Sequence, residues 1–195
     1  MDLVLASSSS IRKQLLRAAG LPFLSLLGDA DEPAPSSGEA AEDYVMRCAE
    51  AKARGALRCH RERLDEALII GCDQVVRFEG RILRKVDRAS QAIARLVALQ
   101  AAPHELVGGL AIIDQAGAIR RRSHSIVRVA LRSLSTAQVS RYVTREMPLS
   151  SVACYYLEGE GFKLIERLDG DYHSALGLPL SDIISTLAET GHALF

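Results

Sequence analysis

The spacing of hydrophobic and polar positions changes several times along this chain. Leu3, Val4, Leu5 and Ala6 form an apolar run of strand length. From Ile11 the apolar positions recur at helical spacing (Ile11, Leu15, then Ala18 or Ala19), with Arg12, Lys13 and Arg17 between them. Gly20 is a C-terminal stop for that helix, and Leu21-Pro22 follows. Residues 23–27 predict a second strand, and GDADEPAPSSG at 28–38 a loop. Residues 39 to about 63 predict a long helix with Tyr44, Cys48, Ala51 and Gly55 on its apolar face, although Gly55 weakens the case for one straight helix. Residues 68–72 form the clearest buried strand, ending directly in Asp73-Gln74. Residues 75–78, a turn at Glu79-Gly80 and residues 81–83 predict a hairpin, after which Asp87 is placed to cap a helix carrying Ile93, Leu96, Val97 and Gln100.

The second half is richer in strands. Residues 105–131 predict β-structure around the turn Asp114-Gln115-Ala116-Gly117, and Ser135 a cap for a helix through Tyr142 and Val143. Residues 162–168, a turn at Asp169-Gly170 and residues 171–176 predict another hairpin, and Ser181 a cap for a last helix that stops at Gly191. Early alternation of strands and helices with later hairpins predicts an α/β fold with a mixed sheet, and no repeat is present. Residues 1–195 are read as one domain, a length sufficient for a substantial core or for two lobes.

Charge removes two partner classes from the expectation. Lys plus Arg and Asp plus Glu each total 24, so no overall field draws the protein to a nucleic acid polymer or an anionic membrane. The first residues lack a basic segment followed by an apolar one, and no apolar run approaches the ~20 residues of a membrane span, which predicts a cytoplasmic protein. Cys48, Cys59, Cys72 and Cys154 have no C-x-x-C or zinc-ligand spacing and read as reduced thiols.

Candidate chemistry gathers at a few places. LASSSSIRKQLL sets four serines between a strand and a helix, where unpaired backbone N–H groups and a partial positive charge suit phosphate. The serines are open to two readings, one N-cap with solvated neighbours or a row of donors for an anion, with Arg12 as the cation in the first turn. Asp73 at the tip of a buried strand stands where open α/β sheets place ligands, as a ligand for Mg²⁺, as a group orienting water, or simply as the first residue of a turn. Asp31 and Glu32 form an acidic pair that reads as metal ligands or as plain loop residues. Lys52 and Lys85 are two of only four lysines against 20 arginines, and a compact ammonium retained in so arginine-rich a chain suits a phosphate contact.

Taken in order, these pieces resemble the Maf family of nucleoside triphosphate pyrophosphatases. The family's LAS-x-S-P-x-R-x-x-LL matches residues 5–16, with Ser10 in place of proline. Its acidic loop matches Asp31-Glu32, its A-x-x-K-A helix CAEAKA, its strand ending in Asp IIGCDQVV, and its I-L-x-K-P segment ILRKV, with Val86 in place of proline. A family histidine falls on His104, and the C-terminal signature on YYLEGEGFKLIERLDGDYHSALGLPL. The resemblance covers essentially the whole chain. It departs at residues 100–103, at Gly108 where threonine is expected, and at Val152.

The resemblance implies a two-lobed α/β fold around a central cleft, a homodimer, dependence on Mg²⁺ or Mn²⁺, and cleavage of a nucleoside triphosphate to monophosphate and pyrophosphate. Ser7 and Arg12 would hold phosphate oxygens, Lys52 and Lys85 would neutralise the pyrophosphate, Asp73 would orient or deprotonate water, and Glu32 with Asp73 would bind the metal. Gln74 and Glu158 would read the base or assist the metal. Asp73-Gln74, Glu158 and Ile11 resemble the subgroup acting on 7-methyl-GTP. The alternatives are a dTTP/UTP enzyme, a hydrolase of other phosphates, and a nucleotide-binding regulator of cell division with little catalysis.

Overall fold

The structure, a computed structural model, describes residues 2–31 and 34–192. Seven strands form one mixed sheet: β1 (Asp2–Leu5), β2 (Leu24–Ser25), β3 (Ala67–Phe78), β4 (Arg81–Leu83), β5 (His104–Asp114), β6 (Ile119–Leu131) and β7 (Ile165–Asp169). Their order is β2-β1-β3-β5-β6-β7, and β4 pairs with β3. β1 lies parallel to β2 and β3, and the remaining pairs are antiparallel. Six helices accompany it: α1 (Ser10–Ala18), α2 (Ala41–His60), α3 (Ala89–Leu99), α4 (Thr136–Glu146), α5 (Tyr172–Ala175) and α6 (Leu180–Glu189).

The two-residue alternation of the inner strands sorts them between layers. Leu3 and Leu5 of β1 and Leu68, Ile70 and Cys72 of β3 face Leu16 of α1 and Ile183 and Leu187 of α6. Val4, Ala6, Ala67 and Ile69 face the other way, onto Ala53, Ala56 and Leu57 of α2. Towards the Val76 end of β3 and the Leu106 end of β5 the same sheet serves a second core. There Val76, Leu106, Val127 and Val129 pack with Leu96 and Leu99 of α3 and Val139 and Val143 of α4. One sheet thus carries two lobes, and β3 and β5 run through both.

Several local expectations give way to tertiary packing. The 68–72 strand does not end before Asp73: β3 runs unbroken for 12 residues because β5 pairs with it from Leu68 to Arg77. Asp87 does not cap α3; the Gln91 side chain reaches back and accepts from the N–H groups of Asp87 and Arg88, both at 3.2 Å. No strand forms at 171–176. Asp171 accepts from the Ser174 N–H at 2.6 Å and starts the short α5 in place of the second arm of the expected hairpin. α6 begins one residue before Ser181, at the buried Leu180 after Pro179. Ser135 caps α4, as expected, and the structure adds the reciprocal bond from Gln138.

Candidate functional site

The site begins as a gap in the sheet. β1 pairs with β3 only as far as Ile70, and β4 pairs with it only from Val76. Between them the edge of β3 has no strand beside it, and Asp73 and Gln74 project from this stretch to opposite faces. A cleft of about 650 Å³ opens there, lined by Ser7, Arg12, Lys52, Asp73, Lys85 and Glu158 among others. It also takes in Gln74; of the other site residues expected from the sequence, Asp31 is exposed and does not line the cleft, and Glu32 lies outside the described residues.

Glycines set the depth of the Asp73 side. A Cβ on Gly71 would stand 1.9 Å from the Ala49 carbonyl oxygen, and one on Gly109 would stand 2.3 Å from that of Val45. The backbone of α2 therefore rests directly on the sheet, a separation any side chain would prevent. One turn past Ala49, Lys52 comes down beside Asp73, with Nζ 2.6 Å from Oδ1 and both side chains mostly buried. Gly55, the awkward residue of the sequence reading, has a similar explanation. The loop after β2 lies against it so closely that a Cβ on Gly28 would meet the Gly55 carbonyl carbon at 2.0 Å. His60 Nε2 approaches the Leu27 carbonyl at 2.8 Å and Arg58 pairs with Asp29 at 2.9 Å, which fixes this loop as a cleft rim through Leu27, Gly28 and Ala30.

The serine run is a strand-to-helix turn. Ser9 is the N-cap, accepting from the Arg12 N–H at 3.4 Å, and Ser10 is the first helical residue, a position that proline also suits. Ser7 is buried, and its Oγ accepts from the Ser9 N–H at 3.2 Å and from Arg12 Nη1 at 3.3 Å. With both lone pairs engaged, the hydroxyl has one proton to donate. Arg12 is fastened as well: Nε donates to the Gly177 carbonyl at 2.8 Å and Nη1 to the Cys72 carbonyl at 2.9 Å. Its guanidinium closes part of the open edge of β3 while bringing its charge into the cleft.

On the other face, Gln74 differs from a free base-reading amide. Its Nε2 donates to the Ser174 and Ala175 carbonyls, both at 3.1 Å, so both amide protons are committed to α5 and only Oε1 can meet a ligand. Glu158 sits exposed beside Tyr156 on the far wall and has no ion-pair partner among the described residues. Sequence reasoning missed Arg84 and Tyr44, which also line the cleft. Adjacency to Lys85 was the available signal for Arg84, whereas Tyr44 read simply as core. His104 stands behind the wall. Wholly buried, it pairs through Nε2 with the Tyr155 hydroxyl at 2.8 Å, and burial lowers its pKa to about 4.

For a divalent cation the donor set matters more than a preformed cage. Among the described residues no cluster of three or more His, Cys, Asp or Glu could hold a metal. One carboxylate beside an anion site is instead the donor set for Mg²⁺ that enters with phosphates and keeps several waters. Asp73 meets that requirement. No described helix is long and apolar enough to cross a membrane.

Hydroxyls and an arginine at a strand-to-helix turn, with two lysines across an open sheet edge, define an α/β protein whose cleft has the donors for a polyanion. The chain belongs to the Maf family: the model described as "Maf-like protein" matches residues 2–190. Its curated relatives include a "7-methyl-GTP pyrophosphatase" of Vibrio vulnificus (strain CMCP6), 37% identical over 97% of this chain and 95% of that one. A "Nucleoside triphosphate pyrophosphatase" of Ruegeria pomeroyi (strain ATCC 700808 / DSM 15171 / DSS-3) is 35% identical, covering 98% and 97%. A "dTTP/UTP pyrophosphatase" of Clostridium botulinum (strain Okra / Type B1) is 32% identical, covering 97% of each.

Proposed function

We propose that this protein is a metal-dependent nucleoside triphosphate pyrophosphatase, releasing pyrophosphate from a 7-methyl-GTP-like nucleotide. The observation that carries the reading is the Lys52–Asp73 pair, 2.6 Å apart in the sheet gap, with Ser7 and Arg12 at the α1 N-terminus lining the same cleft. The full-length relatives named as pyrophosphatases support the same activity.

In this reading Ser7 donates its remaining proton to a phosphate oxygen, and Arg12 holds a second. Lys52 and Lys85 neutralise charge that builds on the departing pyrophosphate. Asp73 orients the attacking water and takes its proton, so that water oxygen bonds to the α-phosphorus as the bond to the pyrophosphate oxygen breaks. Positioning and neutralisation of this kind supply most of the catalysis in phosphoryl transfer. Glu32 and Asp73 would hold a Mg²⁺ or Mn²⁺ ion, which would add charge neutralisation on the phosphates. The homodimer implied by the family resemblance and the cytoplasmic location expected from the sequence pattern belong to the same proposal.

Base preference rests on Glu158. An N7-methylated guanine ring is cationic, and a carboxylate without an ion-pair partner among the described residues favours it over guanine. An exposed pair contributes about 0.2–1 kcal/mol, so Glu158 in an open cleft gives at most about a fivefold preference. The relatives named for dTTP and UTP keep that alternative in view, and one experiment separates the two. With Mg²⁺ or Mn²⁺, pyrophosphate release should be faster from 7-methyl-GTP than from UTP, dTTP or GTP. Faster release from UTP and dTTP would reverse the assignment, and no release from any nucleotide would remove the pyrophosphatase reading.

A further inference from the structure

We infer that Arg95, which does not line the cleft, is a positioning residue that holds the Lys85 loop in register with the wall formed by residues 150–158. The inference rests on the reading of the cleft as a triphosphate site.

Arg95 projects from the middle of α3. Its Nη1 donates to the carbonyl of Arg84 and, at 2.8 Å, to the carbonyl of Val152. Its positive charge also opposes the rise that burial gives the pKa of the Cys154 thiol. Residues 84–88 carry no regular structure, and neither do 152–156 beyond turns and bends. Both segments nonetheless supply cleft residues: Arg84 and Lys85 from one, Val152, Tyr155 and Tyr156 from the other. One cation therefore joins two loops that no strand pairing holds together.

The chemistry explains why a guanidinium serves here. Two carbonyl oxygens within reach of one nitrogen repel each other unless a donor stands between them. Hydrogen bonds to a charged donor are about twice as strong as neutral ones, and the planar fork fixes their directions. The stem of Arg95 borders an apolar groove with Phe78, Leu83, Val86 and Leu99, so the head can serve the loops while the chain stays packed. Near the clamp, Cys154 adopts φ of +60°, a left-handed conformation that a side-chain-bearing residue keeps only where its surroundings enforce it.

The consequence concerns the joined ligand. Lys85 meets the phosphates and the 150–158 wall meets the nucleoside, so the distance between the two loops matters only to a molecule spanning both. Arg95→Met retains an unbranched apolar stem and removes the donors. Calorimetric affinities of a non-hydrolysable nucleoside triphosphate, inorganic pyrophosphate and the nucleoside monophosphate should separate in this variant. The triphosphate should weaken about tenfold or more while each fragment stays within about threefold of wild type, since small misplacements penalise only simultaneous contacts. Arg95→Lys, which keeps the charge without the fork, should fall between them. Wild-type triphosphate affinity in Arg95→Met overturns the inference. So does a parallel loss for all three ligands with a collapsed melting temperature, which would make Arg95 a fold residue only. A wild-type protein that binds no triphosphate removes the reading of the cleft itself, a result distinguishable from either.

Discussion

Changing Asp73 to asparagine separates the charge of this residue from its shape. Asparagine has the same outline, and its oxygen can still accept from Lys52, which stands 2.6 Å from Oδ1 in the native pair. The fold should survive, while the cleft gains one unit of positive charge. A carboxylate about 6 Å from a phosphate charge, at an effective dielectric of 20, repels it by roughly 3 kcal/mol before screening. Counter-ions and neighbouring cations reduce that to about 1–2 kcal/mol, a factor of roughly 5–30 in affinity. With EDTA present, Asp73→Asn should therefore bind a non-hydrolysable triphosphate more tightly than wild type. With Mg²⁺ present the gain should shrink or reverse, because a ligand to the metal has been lost. Turnover should fall by about 10²–10⁴ in either reading of Asp73, as water positioner or as metal ligand. Calorimetry in the two buffers and a pyrophosphate-release assay measure all three quantities. Turnover within threefold of wild type, or weaker binding in EDTA, would refute the reasoning.

Two further outcomes bear on packing and on pH. Gly71→Ala drives a methyl group to 1.9 Å from the Ala49 carbonyl, so α2 must retreat from the sheet and carry Lys52 away from Asp73. Overpacking costs about 1–3 kcal/mol, roughly 2–12 °C in melting temperature for a chain of this size, and pyrophosphate release should fall with it; an unchanged melting temperature would contradict the close contact. His104 is kept neutral by burial, with its pKa lowered to about 4 from 6.5. The unfolded chain then binds more protons than the folded one between those values, so stability is full above about pH 6.5 and is lost as pH falls toward 4, by about 3 kcal/mol in all. Tyr155, the ionisable group at its Nε2, is pushed upward by burial and does not titrate in that window. Denaturant unfolding from pH 7 to 5 should show this slope in wild type and lose it in His104→Phe; equal slopes would place the protonation elsewhere.

Much of the molecule follows from short-range pattern. The apolar runs of β1 and the start of β3, the helical spacing after Ile11 and the Ser135 cap are properties of neighbouring residues. Ser7, Arg12, Lys52, Asp73 and Lys85 were singled out because hydroxyl, cation and carboxylate stand at element boundaries or against the compositional trend. The same local view failed at residues 171–176, where a turn at Asp169-Gly170 suggested a hairpin but the Asp171 cap starts a helix.

What only the tertiary structure decided involves partners far apart in the chain. Asp73 was expected at a strand tip and lies instead within a 12-residue strand, because β5 holds β3 together past the point where β1 stops. The gap between β1 and β4 makes the cleft, and no window of sequence contains both of its edges. Gly55 weakened a helix prediction until the Gly28 backbone was found against it, and Gly71 drew no notice before the α2 backbone came within reach. Gln74 looked free to read a base, yet its amide is bound by two carbonyls about a hundred residues away. Arg95 was one arginine among 20. The sequence by itself determined which groups exist and on which local elements they ride. Packing determined which of those groups face one another, since burial, ion pairing and hydrogen bonding depend on distances that only the folded chain defines.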